Sequence, residues 1–323
     1  MNLTLVTEGS YLHVKDKMIE VQLEGRKQKV SPQKIERILV TTRVKLSSDV
    51  VILALEHKIE ILFLDHFGDP KGRIWFPAPG STSRIRKRQL EASLNGFGLK
   101  LVLAWLTAKL QTRADYLQVL AGKRPKKVKA IRECAQRQER GIEALKGLDE
   151  SADPETLRGI EGSAGRAYFQ CLAHIQPAAF PFSGRSFRPA HDPFNCLLNY
   201  AYGVLYGYVE KACIIAGIDP HIGFLHRDGY NHKSFVYDFI EPYRIHVERV
   251  VVSLFSAKRV KRAMFTSLAN GVVLEKEGKR LLLDALTTAF DSKHRHGGRL
   301  VQTKHIIQLD AHQAASSLLE GVC

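Results

Sequence analysis

The chain has 323 residues, 45% hydrophobic and 25% charged, the balance of an ordinary globular protein and a length that suits two domains rather than one core. The longest apolar run near the start, Val50–Leu55, is far too short for a bilayer, and no basic leader or cleavage pattern follows Met1, so a cytoplasmic protein without signal peptide or membrane segment is expected. Forty-eight Lys and Arg against 33 Asp and Glu leave a formal charge of +15, an excess that favours a polyanionic partner and salt-sensitive association.

Residues 1–79 read mainly as strands. Tyr11–Val14 and Met18–Leu23 are strand-like runs parted by the turn-prone Lys15-Asp16-Lys17, and Ile35–Val40 is a third. Ser47 or Ser48 offers an N-cap ahead of Val50–Leu55, which predicts one short helix among the strands. Ile59–Leu64 is a compact apolar strand, His66–Gly72 a turn, and Arg73–Phe76 the last strand. Two prolines and a glycine in Pro77–Ser83 mark a domain boundary, with the linker placed at residues 80–89. Beyond it the period becomes helical: Leu90, Leu94, Phe97 and Leu101, then Trp105, Leu106 and Leu110, fall at intervals of three and four. Further helices are predicted at Thr156–Ile175, Cys196–Ala216, Val247–Phe255 and Leu281–Ala289. Ser292–Gly298 reads as a polar linker and Ala311–Leu319 as a last short helix. The expected fold class is α+β, a small N-terminal β-rich domain (1–79) followed by a larger all-α catalytic domain (90–323).

The charge is unevenly spread. Between Ser81 and Ala130 there are twelve basic residues and two acidic ones, Glu91 and Asp115, so this segment carries ten of the fifteen excess charges. Arg84, Arg86, Lys87 and Arg88 form one cluster; Lys123, Arg124, Lys126, Lys127 and Lys129 form a second. A third, Lys258, Arg259, Lys261 and Arg262, lies farther on. Scattered lysines serve solubility, whereas concentration of this kind points to contact with nucleic-acid phosphates. Cys134, Cys171, Cys196, Cys213 and Cys323 include no close C-x-x-C pair, which argues against a disulfide framework or a thiolate zinc site and for reduced, mostly buried thiols.

A few acids and one imidazole stand in unusual company. Glu161 lies among Gly159, Gly162, Ala164 and Gly165, where a carboxylate on a crowded helix face needs a partner or a cation. Pairing with Arg158 or Arg166 on the same helix is the simple alternative. His226 ends a turn-rich stretch from Gly217, and a lone histidine is commonly structural. Asp238 and Glu241, three apart and set among Phe235, Val236, Tyr237, Phe239 and Ile240, share a helix face and repel unless a cation lies between them. A solvated acidic patch beside Arg244 is the alternative here. Pro242 ends or kinks that helix. As a ligand set, two carboxylates and an imidazole suit Mn²⁺, or Mg²⁺ with retained waters. Zinc stays open through His221, His226 and His232. No P-loop, dinucleotide fingerprint, nucleophile elbow or His-Glu-x-x-His helix occurs, which disfavours ATP, dinucleotide, acyl-hydrolase and metalloprotease chemistry.

Four blocks in order carry a resemblance. Glu161-Gly162 with Ala164 and Tyr168-Phe169 comes first, followed by Pro193-x-Asn195-x-x-Leu198-Asn199-Tyr200-x-Tyr202. Gly217-x-x-Pro220-x-x-Gly223-x-x-His226 and Ser234-Phe235-x-Tyr237-Asp238-x-x-Glu241 complete the set. Together they resemble the successive motifs of the CRISPR-associated integrase family, the catalytic subunit of the spacer-acquisition complex of prokaryotes. The resemblance implies that Glu161, His226 and Glu241 bind a divalent metal, Mn²⁺ or Mg²⁺, and that Asp238 supports them as a fourth catalytic residue. It implies that Asn199 and Tyr202 line or brace the site. It also implies a metal-dependent DNA endonuclease and integrase, in which the 3′-hydroxyl of a protospacer attacks a phosphodiester at the edge of a repeat. The implied assembly is a homodimer joined through the β domains, bridged to another by a small ferredoxin-like CRISPR-associated partner. The competing readings are a non-enzymatic nucleic-acid scaffold and a metal hydrolase of small phosphoesters.

Overall fold

The computed structural model describes residues 1–23, 25–66, 68, 70–75, 82–186, 189–227 and 229–321. Phe67, Asp69, Phe76, residues 77–81 of the expected boundary and Cys323 lie outside the described residues.

The N-terminal part holds β1 (Asn2–Leu5), β2 (Tyr11–Lys15), β3 (Met18–Leu23), β4 (Arg26–Val30), β5 (Arg37–Val40), β6 (Lys45–Leu46), α1 (Ser48–Glu56), β7 (Glu60–Leu64) and β8 (Pro70–Ile74). One four-stranded sheet has the order β1-β5-β7-β8, with β1, β5 and β7 parallel and β8 antiparallel. The other has the order β4-β3-β2-β6, an antiparallel meander closed by the short parallel β6. Helix α1 starts where the serines predicted: Ser47 is the extended residue at its N-cap, and the hydroxyl donates to Leu12 O at 3.0 Å. Strand β4, Arg-Lys-Gln-Lys-Val, is charged and exposed along most of its length, so it showed no apolar alternation to read. The last strand, Pro70–Ile74, begins inside the expected turn and includes Arg73 and Ile74 of the expected strand, with a register shift between Phe63 and Leu64 of its partner.

Strand alternation makes the first sheet serve two cores at once. Ile38 and Val40 of β5 and Ile61 of β7 point into a cluster with Leu5, Leu12 and Val50. Leu39, Leu62 and Leu64 point the other way, into the main helical core.

The helical part comprises α2 (Thr82–Leu94), α3 (Phe97–Gly122), α4 (Val128–Lys146), α5 (Pro154–Ile175), α6 (Pro193–Ile215), α7 (Ser234–Phe239), α8 (Arg244–Ser256), α9 (Lys276–Asp291) and α10 (Thr303–Gly321). Residues 82–89, expected as linker, are instead the first two turns of α2. Ile85 and Gln89 are buried, so burial of one face draws this basic stretch into helix. The leucine periodicity from Leu90 to Leu101 runs across a break at Gly96, whose φ of 82° lets the chain turn beneath Glu150, and a Cβ there would sit 2.7 Å from Glu150 O. Helix α6 is buried almost all round, as a central helix is, and packs against α7, α8, α9 and α10.

Two short hairpins interrupt the helices: β9 (Phe265–Leu268) with β10 (Gly271–Leu274), and β11 (Lys293–His296) with β12 (Arg299–Gln302). The second occupies most of the expected polar linker. Gly297 and Gly298, with φ of 53° and 79°, form the two-residue turn that such a hairpin favours. Among the described residues no helix is long and apolar enough to cross a membrane.

A buried charge layer joins the first sheet to α6. Glu60, fully buried, takes Arg37 at 2.6 Å, Arg73 at 3.1 Å and Lys211 at 3.7 Å. Arg73 also pairs with Glu210. Gly207 allows the close approach, since a Cβ would meet Leu62 Cδ2 at 2.8 Å. Burial pushes the Glu60 carboxyl up, but Arg37, Lys211 and Arg73 outweigh it and hold the group below its usual value of 4.5. The stabilisation is therefore full above that value and is lost as pH falls toward the lowered one. Glu60→Ala takes the paired carboxylate from Arg37 and Lys211 and one of two from Arg73, and should destabilise the protein by about 3–5 kcal/mol, read as a lower urea midpoint at pH 7.

Candidate active site

One cavity of about 480 Å³ collects side chains from α3, α5, α6, α7, α8 and the loop before α7. Glu161, His226, Asp238 and Glu241 all line it, although 65 residues separate the first two.

Asp153 caps α5, accepting from Glu155 N at 3.3 Å with Pro154 in the first turn. Two turns on, half-buried Glu161 faces the cavity. Its partner is neither Arg158 nor Arg166. Arg158 pairs with Glu155 at 2.7 Å and donates to Leu225 O, while Glu161 pairs with Lys109 from α3. The same ammonium pairs with Glu241, so one lysine bridges two carboxylates. Lys109 itself is only 3% exposed.

Asp238 and Glu241 do not face one another as a repelling pair. Helix α7 ends at Phe239, and Glu241 and Pro242 begin a single 3-10 turn, which sends the two carboxylates apart. Asp238 accepts from the backbone N–H groups of Phe224 at 2.7 Å, Leu225 at 3.0 Å and His226 at 3.1 Å. Its Oδ1 also lies 2.6 Å from His226 Nδ1. A nitrogen that close to a carboxylate carries the hydrogen, leaving Nε2 as the ring's donor atom for another ligand. Gly223 permits this loop to close, since a Cβ would meet Ser234 Cβ at 2.5 Å and Asp238 Oδ2 at 3.1 Å. Gln89 of α2 clamps the loop's far side, bonding Asp219 O at 2.9 Å and Ile222 O at 2.8 Å while accepting from Asp219 N at 2.9 Å.

Glu241 accepts from Arg244 Nε at 2.9 Å. Burial pushes its carboxyl up, but Arg244 and Lys109 outweigh that and bring it down to about 2. Glu161 follows the same pattern: burial raises it, Lys109 lowers it more, and the group stays ionised at neutral pH. Arg113, one turn past Lys109, pairs with fully buried Glu248 at 2.5 Å and lies 4.4 Å over the Tyr168 ring. Tyr202 lines the cavity and donates to Glu248 Oε1 at 2.7 Å. Asn199 accepts from Arg185 Nη2 at 2.8 Å, and that guanidinium also lines the cavity. Tyr202 and Asn199 are thus bracing residues of the cavity wall.

The residues missed by sequence reasoning are Lys109, Arg113, Arg185 and Glu248. Lys109 and Arg113 belong to the basic segment but contribute no surface charge, since both are buried. Their signal was positional: they fall on the face of α3 that carries Leu106, Leu110 and Leu117, where a cation needs a buried carboxylate.

His221 bonds a backbone carbonyl, His232 O, at 2.8 Å. Among the described residues no three or more of His, Cys, Asp and Glu sit together as a ready metal cluster, neither Glu161, His226 and Glu241 nor His221, His226 and His232. Cys171, Cys196 and Cys213 are buried and Cys134 partly so, all as free thiols. The basic clusters occupy two places. Arg84, Arg86, Lys87 and Arg88 lie on α2, with Arg86 3.7 Å from Asp219 and Arg88 2.8 Å from Glu91. The second and third clusters meet, because Arg124 donates to Ser256 Oγ at 2.8 Å just ahead of Lys258 and Arg259. Lys123, Lys126, Lys129, Lys258, Arg259, Lys261 and Arg262 are exposed there, and Lys127 reaches His174 O at 2.6 Å.

The family description "CRISPR associated protein Cas1" matches residues 3–288. A CRISPR-associated endonuclease Cas1 of Archaeoglobus fulgidus is 31% identical over 98% of this chain and 96% of its own. One of Saccharolobus solfataricus is 26% identical over 97% and 93%. Among solved structures, a casposase bound to integration product superposes with a TM-score of 0.84 at 21% identity, covering 99% of this chain and 91% of that one. A Cas1 protein from Thermotoga maritima gives 0.80 at 20%, covering 98% and 96%. Family and relatives together define an enzyme of the CRISPR-associated endonuclease class. The chain belongs to the Cas1 family.

Asp238→Asn keeps the side chain's shape but turns an acceptor of four bonds toward donation. Hydrogen exchange at the amides of Phe224, Leu225 and His226 should accelerate by about tenfold or more, the loss of roughly one charge-assisted bond each, while amides of α6 stay protected.

Proposed function

We propose that the cavity performs metal-dependent cleavage and strand transfer of DNA, with the 3′-hydroxyl of a protospacer attacking a phosphodiester at a repeat boundary. Glu161, His226 and Glu241 are the residues that would hold a divalent ion, Mn²⁺ or Mg²⁺, and Asp238 orients His226. The observation that carries this reading is the convergence of Glu161 and Glu241 on one small cation in a cavity also lined by His226. The donors suit the ion: two ionised oxygens and an imidazole whose Nδ1 is already committed. Glu241 Oε2 is moreover buried and already meets a cation, the Lys109 ammonium. When bound, the ion supplies Lewis acidity toward a phosphate oxygen and the leaving oxygen.

The chain's own residues do the rest. Arg113, Arg158, Arg185 and Arg244 line the cavity against three carboxylates, a cationic excess that draws a phosphodiester in and suits the charge that grows on it. Tyr202 and Asn199 hold Glu248 and Arg185 in place. The exposed cluster around Arg124, Lys126 and Lys258 would grip the duplex backbone without reading bases. The N-terminal domain, residues 1–79, serves dimerisation, and a small ferredoxin-like CRISPR-associated protein bridges two dimers. In support, a Cas6-RT-Cas1–Cas2 complex shares the fold at a TM-score of 0.81 over 99% of this chain and 35% of that one. Double-stranded, branched or protospacer DNA is the substrate class.

With Mn²⁺ and branched DNA, Glu161→Ala and His226→Ala should each lose strand transfer by at least about a hundredfold while still binding DNA. Unchanged turnover would leave only the scaffold reading, and brisk cleavage of a small chromogenic phosphodiester would favour a general phosphoesterase. Binding should weaken linearly in log affinity against log salt, and Lys126→Glu with Lys261→Glu should flatten the slope by roughly 0.9 per lost phosphate contact.

A further inference from the structure

Lys109 has no evident task in positioning DNA. Its ammonium is buried behind the two carboxylates rather than presented to a ligand, and it pairs with both Glu161 and Glu241. The stem emerges from the middle of α3, on the face packed against α4, α5 and the turn that bears Glu241. Glu241 Oε2 is buried and has this ammonium as its direct partner. Without it, Glu161 loses the cation it pairs with, and Glu241 is left to Arg244. Arg244 holds the other oxygen of Glu241 at 2.9 Å, and Arg113 is committed to Glu248.

We infer that Lys109 is a resident counter-cation of the metal site, holding Glu161 and Glu241 in register in the metal-free protein and yielding its place when a divalent ion enters. This rests on the reading of Glu161, His226 and Glu241 as metal ligands. The exchange is one of ions only: the ammonium stays protonated and swings on its four-carbon stem into the cavity, and the divalent ion takes over the two carboxylates. A dication and an ammonium cannot share so small a space without strong repulsion. Lysine therefore weakens metal binding while it stabilises the empty site, and it sets the metal concentration at which the protein loads.

The test measures binding directly, with Mn²⁺ as the probe, by the electron paramagnetic resonance signal of free ion titrated with the full-length protein in the absence of DNA. Lys109→Met should bind Mn²⁺ about tenfold more tightly than the wild type, within the usual range of coupling between two occupants of one site. Its metal-free melting midpoint should fall, and its midpoint should rise further on adding Mn²⁺ than that of the wild type. Lys109→Arg, which keeps the charge, should bind as the wild type does. Glu161→Gln in either background should lose the bound ion, which ties the signal to this site. Equal or weaker binding by Lys109→Met overturns the counter-cation while leaving the metal ligands standing. Absence of Mn²⁺ binding in both wild type and Lys109→Met removes the metal reading and this inference together. Should Lys109→Met fail to fold, Lys109→Gln is neutral as well as polar, and the same titration decides on the same outcomes.

Discussion

Carboxylates brought out of water into one cavity need cations among them, and the interior of this protein is arranged around that requirement. Glu161 and Glu241 meet on Lys109, Glu248 meets Arg113, and Glu60 gathers Arg37, Arg73 and Lys211. The first two groups are linked by a single turn of α3, which carries Lys109 and Arg113 on the same face. Remove Lys109 and Glu241 still has Arg244 but Glu161 loses its partner; remove Arg113 and buried Glu248 is left to hydroxyl donors such as Tyr202. Asp238 meets the same requirement differently, with three backbone N–H groups and an imidazole in place of a salt bridge. A carboxylate held in that way fixes the ring and leaves its Nε2 as the donor atom.

The acids of the site could be read in the sequence because each breaks an apolar pattern: Glu161 among small residues, Asp238 and Glu241 among Phe235, Val236 and Ile240. Their cations could not be read in the same way. Lys109 and Arg113 lay inside a segment rich in basic residues, and charge counting merged them with surface lysines, although their spacing with Leu106, Leu110 and Leu117 put them in the core. The same limitation governs the fold. Helices with an apolar stripe, such as α5 and α6, were legible to within a few residues. Strand β4 and the β11–β12 hairpin were not, since their side chains are mostly polar and their pairing depends on neighbours distant from any local pattern. Residues 80–89 read as linker because two prolines and a glycine mark a boundary at Pro77–Ser83; burial of Ile85 and Gln89, a tertiary fact, makes the chain from Thr82 helix.

Helix α6 is one element through which the two halves of the molecule touch, beside α9 and α10, where Asn2 meets Thr287 and Glu36 meets Lys304. Within about two turns it passes from Tyr202 and Tyr206, which line the catalytic cavity, to Gly207, Glu210 and Lys211, which seat the first sheet. A helix rises only about 1.5 Å per residue and bends little over such a span. Whatever tilts the β-sheet layer therefore tilts the tyrosine wall by a comparable amount, as a lever does on a short arm. A macromolecule that grips the N-terminal strands would thus reshape the cavity from some distance, with no need to reach into it.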